Sequence, residues 1–142
     1  MRLLERRWNT ISAVLAPSVL FGLLHILNME APNVIDVTML VIAGTTVGVM
    51  FSLIAMQSGS IWSSAIVHGV WNLAIIGGIL QISAEPSPAI FTYTLDSNIA
   101  LLTGGAFGIE ASLPAVTGYV ILILVTLALL KSSQPKKQYP AN

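Results

Sequence analysis

The sequence predicts an all-α membrane protein, a polytopic helical bundle of about four transmembrane helices, and three observations predict it. Hydrophobic residues fill 55% of the 142 positions and charged residues only 8%, against roughly 25% charged in ordinary soluble domains. Apolar runs close to the roughly 17–25 residues that a membrane helix needs recur along the chain. All six Lys and Arg residues stand at its two ends: Arg2, Arg6 and Arg7, then Lys131, Lys136 and Lys137. A mean hydropathy of +0.84 agrees with this class. The length suits one domain. With no cysteine, a disulfide framework and a thiolate metal site are both excluded.

Charge placement sets the expected topology. No Lys or Arg occurs between Trp8 and Leu130, and the acids of that interior are Glu30, Asp36, Glu85, Asp96 and Glu110. Basic ends flanking the outermost spans place both termini in the cytoplasm, and that demands an even number of spans. They read as headgroup anchors rather than a nucleic-acid surface, so the expected surroundings are a lipid bilayer, with no nucleic acid. The expected location is integral and multi-pass, in a bacterial cell membrane. Met1 to Trp8 shows no cleavable signal peptide.

The organisation follows in order. Residues 1–10 form a basic interfacial segment, residues 11–130 the transmembrane domain, and residues 131–142 a polar, basic, disordered tail. The first span covers residues 11–28 and contains Pro17, which kinks the helix or opens its regular part. The second covers residues 34–56, where Gly44 and Gly48 at small-xxx-small spacing invite close helix packing. Residues 57–60 (Gln-Ser-Gly-Ser) make a tight turn, with Ser58 or Ser60 capping the next helix. The third span covers residues 61–82, and Gly77-Gly78 allows a bend or a close approach. Residues 83–113 form a long connection, and its apolar stretch 99–109 is too short to span, as a re-entrant or interfacial piece would be. The run Gly104-Gly105-Ala106-Phe107-Gly108 lacks both phosphate-loop patterns and reads as loop. The fourth span covers residues 114–130, with Thr117 and Tyr119 near an interface.

Three polar residues inside these apolar runs stand out: His25 in the first span, His68 and Asn72 in the third. Intramembrane polar groups are costly and mark functional sites by default, although a single histidine there is often held structurally by a carbonyl. His68 and Asn72 lie four apart, on one helical face, with Cβ atoms roughly 5–6 Å apart. They could hold one metal ion, one water or one substrate group between them. Neutral imidazole is a preferred ligand for zinc and other transition metals, and also a general acid or base near neutral pH. Two histidines and an amide are too few for a closed zinc site, so the chemistry asks for a further carboxylate. Glu30 is the nearest internal candidate.

Phe21-x-x-x-His25, then His68-x-x-x-Asn72, with Ser58-Gly59-Ser60-Ile61-Trp62 leading into the second histidine helix, resembles the CPBP family of intramembrane metalloproteases. That family includes the CAAX prenyl proteases of the Rce1 type and bacteriocin-processing and immunity proteins. The likeness covers roughly residues 8–80. It implies an endopeptidase whose catalytic residues are His25, His68 and Asn72, with His25 and His68 as ligands of a divalent metal such as zinc or of a water. Asn72 completes the polar cluster as part of an oxyanion hole. The implied substrate is a membrane protein or peptide, prenylated or a bacteriocin precursor. The family's Glu-Glu-x-x-x-Arg motif, whose glutamate activates the attacking water, has no counterpart in this chain. A miscalled start, a truncated gene and a shortened relative are the competing expectations. Two further readings follow: a non-catalytic adaptor or immunity-type protein that keeps the fold, and, last, a small transporter or proton relay.

Depth adds one expectation. Counted at about 1.5 Å per residue, His68 and His25 lie at different depths. They meet only if the first helix is strongly tilted or effectively starts near Pro17, and the latter is expected. A separation beyond about 10 Å, the reach of one metal and its waters, would break the shared site.

Overall fold

The computed structural model describes residues 7–29, 33–84 and 88–133. The interfacial segment up to residue 6, Glu30 and most of the tail fall outside these residues. The fold is all-α in its membrane part. Among the described residues three helices are long and apolar enough to cross a bilayer, and a shorter apolar helix stands beside them.

Helix α1 (Thr10–Leu24) begins upstream of Pro17, because Asn9 Oδ1 accepts from the Ser12 N–H at 2.8 Å and caps the first turn. The start expected at Pro17 is therefore corrected: the proline lies inside the helix. It removes one backbone donor there, which transmembrane helices tolerate when neighbours compensate. From His25 to Asn28 the chain tightens into a 3₁₀ turn, so the apolar stretch ends where expected.

Helix α2 (Val34–Ser58) is the centre of the bundle and packs against α1 and against the later helices Ile61–Ile75 and Leu113–Ser132. Asn33 Oδ1 caps it by accepting from the Asp36 N–H at 3.0 Å, and Gly59, at φ 70°, ends it in the left-handed region that glycine enters without strain. The α1–α2 seam is built from small residues on both sides. A Cβ on Gly44 would lie 2.7 Å from the Gly22 Cα, and one on Gly48 would lie 2.6 Å from the Ser18 Cα. Ser18-x-x-x-Gly22 thus faces Gly44-x-x-x-Gly48, and the backbones meet with nothing but hydrogen or a hydroxymethyl between them. Apolar surface gains little by leaving lipid, so this close van der Waals contact holds the pair. Ser18 Oγ donates to the Val14 carbonyl at 2.6 Å, which satisfies its hydroxyl within its own helix.

Helix α3 (Ile61–Ile75) starts on a Ser60 cap, whose Oγ accepts from the Trp62 N–H at 3.2 Å. Its 15 residues reach about 22 Å, short of the roughly 30 Å hydrocarbon core. The span expected to run to residue 82 stops early because the Asn72 carbonyl takes both the Ile76 and Gly77 N–H groups and Gly78 turns at φ 74°. The chain then forms a two-stranded parallel pair, β1 (Leu80–Ser83) and β2 (Phe91–Thr94), which hydropathy gave no hint of. The connection after it folds as a short helix α4 (Ala100–Thr103) and two 3₁₀ turns, Gly105–Phe107 and Ile109–Ala111. It returns to the bundle, and the Gly105 backbone seats against the buried Asp36 carboxylate at the start of α2.

Helix α5 (Leu113–Ser132) is capped by Ser112, whose Oγ accepts from the Ala115 N–H at 3.3 Å. It buries only Thr126 and leaves Ile121, Leu124, Val125 and Leu129 half-open to their surroundings. A helix so apolar and so uncovered is suited to lipid.

Candidate functional site

A run of rings crosses the bundle beside the small-residue seam. Phe51 and His68 stack with centroids 5.3 Å apart, and Phe21 meets His68 edge-on at 5.5 Å. Phe21 also touches His25 at 4.4 Å, and His25 meets Phe107 edge-on at 6.0 Å. Phe21 therefore contacts both histidines, and its two contacts cap the imidazole separation at about 10 Å. The phenylalanine of the Phe-x-x-x-His pattern is the element that links the two rings.

The His25 ring has a defined orientation. The α-helical bonding pattern gives way at this residue, and the ring Nδ1 lies 2.7 Å from the Phe21 carbonyl. A carbonyl can only accept, so Nδ1 carries a proton, and in the neutral ring Nε2 then keeps its lone pair. A backbone carbonyl in this role fixes the tautomer, as it does behind many ligating or basic imidazoles.

His68 and Asn72 are carried by α3. Besides its cap, that helix is tied to α2 by Ser64 Oγ, which donates to the Phe51 carbonyl at 2.6 Å. No described residue hydrogen-bonds the His68 ring or the Asn72 amide. This sets them apart from hydroxyls such as Thr46 and Thr126, which back-bond within their own helices, to the Ile42 carbonyl at 2.7 Å and to that of Leu122 at 2.8 Å.

His25, His68 and Asn72 line one cavity of about 900 Å³. Its walls are largely apolar, from Phe21, Leu40, Met50, Phe51 and Val67, and the returning connection closes one side with Phe107 and Glu110. Such a volume accommodates a substrate of drug or peptide size. Glu110 stands in the Ile109–Ala111 turn, where one carboxylate oxygen accepts from the Trp71 indole N–H. Its backbone carbonyl accepts from the Tyr119 hydroxyl at 3.3 Å. Trp71 and Tyr119 line the same cavity.

The carboxylate on this cavity among the described residues is that of Glu110, and Glu30, to which the sequence pointed, lies outside them. The signal of Glu110 was weak: a single acid between two apolar stretches, Ile109-Glu110-Ala111, in a segment that reads as loop. The residues present are one short of a catalytic zinc site, which takes three protein ligands. Among the described residues no group of three His, Cys, Asp or Glu side chains converges to hold an ion.

Comparison with known proteins agrees with the geometry. No curated protein and no solved structure matches the chain. The family model described as type II CAAX prenyl endopeptidase Rce1-like matches residues 1–74, slightly more than half the chain and the part that carries Phe21, both histidines and Asn72. The chain belongs to this Rce1-like family of CAAX-type intramembrane proteases, and it is an integral membrane protein.

Proposed function

We propose that the protein is an intramembrane endopeptidase that hydrolyses a peptide bond in the cavity between α1, α2, α3 and the returning connection. One observation carries this reading: His25, His68 and Asn72, from two separate helices, line one cavity roomy enough for a peptide. His25 Nε2 offers a lone pair and accepts a hydrogen bond from the attacking water. His68, with no protein hydrogen bond among the described residues, holds the same water from the other side. The Asn72 amide donates to the scissile carbonyl oxygen and stabilises its developing charge, a contribution worth about 10²–10³ in rate for one donor. The apolar walls keep bulk water out and strengthen these contacts.

A divalent metal would be held by His25 and His68 and would lower the pKa of its bound water. It lacks a third ligand among the described residues, so the roles given to the chain's own groups do not run through it. The substrate class follows the family: a prenylated peptide or a bacteriocin-type precursor at the membrane. Both termini lie on the cytoplasmic side of a bacterial membrane in this reading, which counts the short α3 as a fourth crossing beside the three long apolar helices and is supported by the basic ends. Since the chain has no cysteine, single-cysteine variants at either end test that placement; labelling by an impermeant reagent from outside sealed cells would overturn it.

The decisive experiment is hydrolysis of a farnesylated Cys-aliphatic-aliphatic-X peptide by the purified protein in detergent. Cleavage is expected, with a fall of at least about 10²-fold in His68→Ala. Cleavage undiminished in His68→Ala overturns the reading. Activity resistant to EDTA is expected, and loss restored by zinc would show that a third ligand comes from outside the described residues. A second reading is an adaptor or immunity-type protein with the same fold, and a silent wild type selects it.

A further inference from the structure

The strand pair that follows α3 has no role in the proposed hydrolysis, yet it stands at the same cavity. β1 and β2 run parallel, with Gln81 opposite Thr92. The Phe91 N–H donates to the Ile79 carbonyl at 2.9 Å, and the Leu95 N–H to the Ser83 carbonyl at 2.8 Å. Backbone direction alternates along a strand, so residues 79, 81 and 83 turn their hydrogen-bonding groups toward β2. Leu80 and Ile82, between them, turn theirs to the opposite edge. No described residue hydrogen-bonds those N–H and C=O groups.

Gln81 and Ile82 both line the cavity that holds His25, His68 and Asn72, whereas no residue of β2 does. Consecutive side chains of a strand leave from opposite faces. Two neighbours reach one cavity together where the strand presents its edge, and β2 occupies the other edge. The free edge of β1 therefore looks into the cavity. Burial has the same asymmetry, with every β1 residue partly covered and every β2 residue exposed. Donors and acceptors left unpaired against largely apolar walls cost free energy until a partner satisfies them. Alternate residues of a strand lie roughly 6.6 Å apart, a spacing that a second extended backbone matches, and an open edge is a template for one.

We propose that the free edge of β1 binds the substrate: an extended peptide adds beside it as a third strand, through the backbone groups of Leu80 and Ile82. The proposal rests on the endopeptidase reading and names how its substrate is held. Leu80 and Ile82 are positioning residues, since they hold the peptide and leave the chemistry to other groups. The edge reads main chain, so it takes any peptide that lies extended with free N–H groups at alternate residues. The apolar walls then choose among side chains. A helical segment cannot use the edge, because a helix spends its N–H and C=O groups internally. A helical substrate must therefore unwind before its bond enters the cavity.

The test uses the full chain in detergent and the farnesylated peptide, extended upstream of its cysteine and labelled with a fluorophore at its N-terminus. Binding is read by fluorescence anisotropy, separately from cleavage, on a set of peptides that each carry one N-methylated backbone amide. Alternation is expected: methylation at every second amide weakens binding about tenfold, and at the amides between it has no effect. In the protein, Ile82→Pro removes an N–H that faces the cavity and should raise KM about tenfold with kcat little changed. Thr94→Pro removes one turned away from β1, on the outer edge of β2, and should change neither. Circular dichroism checks the helices of both variants, and the methylated peptides decide on the wild type where Ile82→Pro misfolds. Uniform tolerance of methylation, or uniform loss, overturns the proposal, as does Ile82→Pro with unchanged KM. If cleavage then still dies in His68→Ala, the endopeptidase reading stands without it. A wild type that binds in the alternating pattern and never cleaves overturns the endopeptidase reading alone, and one that neither binds nor cleaves overturns both.

Discussion

Two faces of α2 show opposite designs. Toward α1, Gly44 and Gly48 admit Gly22 and Ser18 to backbone contact, and the Ser18 hydroxyl in the seam is bonded within its own helix. Toward α3 and the returning connection, the same helix leaves a cavity of about 900 Å³ with two imidazoles, an amide and a carboxylate on its walls. The first face is close-packed and internally satisfied, so it gives the bundle its stability. The second keeps space and polar groups without a described partner, which cost stability in an apolar medium. One helix carries both because its two faces answer to different requirements.

This division can be broken from either side. The largest expected effect is on the cavity side: His68→Ala should cost at least about 10²-fold in cleavage, which is at least about 2.7 kcal/mol of transition-state stabilisation. The same variant should unfold in denaturant within about 0.5–1 kcal/mol of the wild type. A large stability loss there would mean that His68 is a packing residue. On the seam side, Gly48→Leu should destabilise by about 3 kcal/mol, because its side chain must enter the Ser18 backbone. Denaturant titration in micelles measures it, and an unchanged midpoint would show that the seam is not close-packed.

Smaller effects sharpen the boundary between the two faces. Phe107→Ala removes the ring that meets His25 and should lower kcat/KM about tenfold while leaving the unfolding midpoint nearly fixed, since α1 and α2 pack without it. Equal losses in both measurements would join the returning connection to the stability core. Ser64→Ala deletes the bond to the Phe51 carbonyl and should cost about 1 kcal/mol. Its effect on cleavage should be smaller than that of Phe107→Ala, because the Ser60 cap still seats α3.

Much of the fold was legible in the residues. Hydropathy located the ends of α2 and α5 within two residues, and the Gly44/Gly48 spacing announced a close seam. Pro17 misled because the Asn9 cap upstream outweighs one lost backbone donor. The third apolar run misled for the opposite reason: residues 61–82 are apolar throughout, but Gly77-Gly78 and the doubly bonded Asn72 carbonyl end the helix inside it. Of the cavity's polar residues, His25, His68 and Asn72 could be named in advance because each interrupts an apolar run. Glu110 could not, for an acid in a loop looks solvated until the loop's path is known.

The sequence by itself determined the medium, the helices and the residues out of place within them, because apolar length, charge position and helical spacing are local quantities. The tertiary structure alone decided which of those residues meet. Phe21 touches both histidines, Ser18 and Gly22 answer Gly44 and Gly48, and the connection after α3 turns back to set Glu110 beside Trp71. Such contacts join positions up to 47 residues apart, and they depend on how closely backbones approach and where a chain returns, which no local pattern encodes.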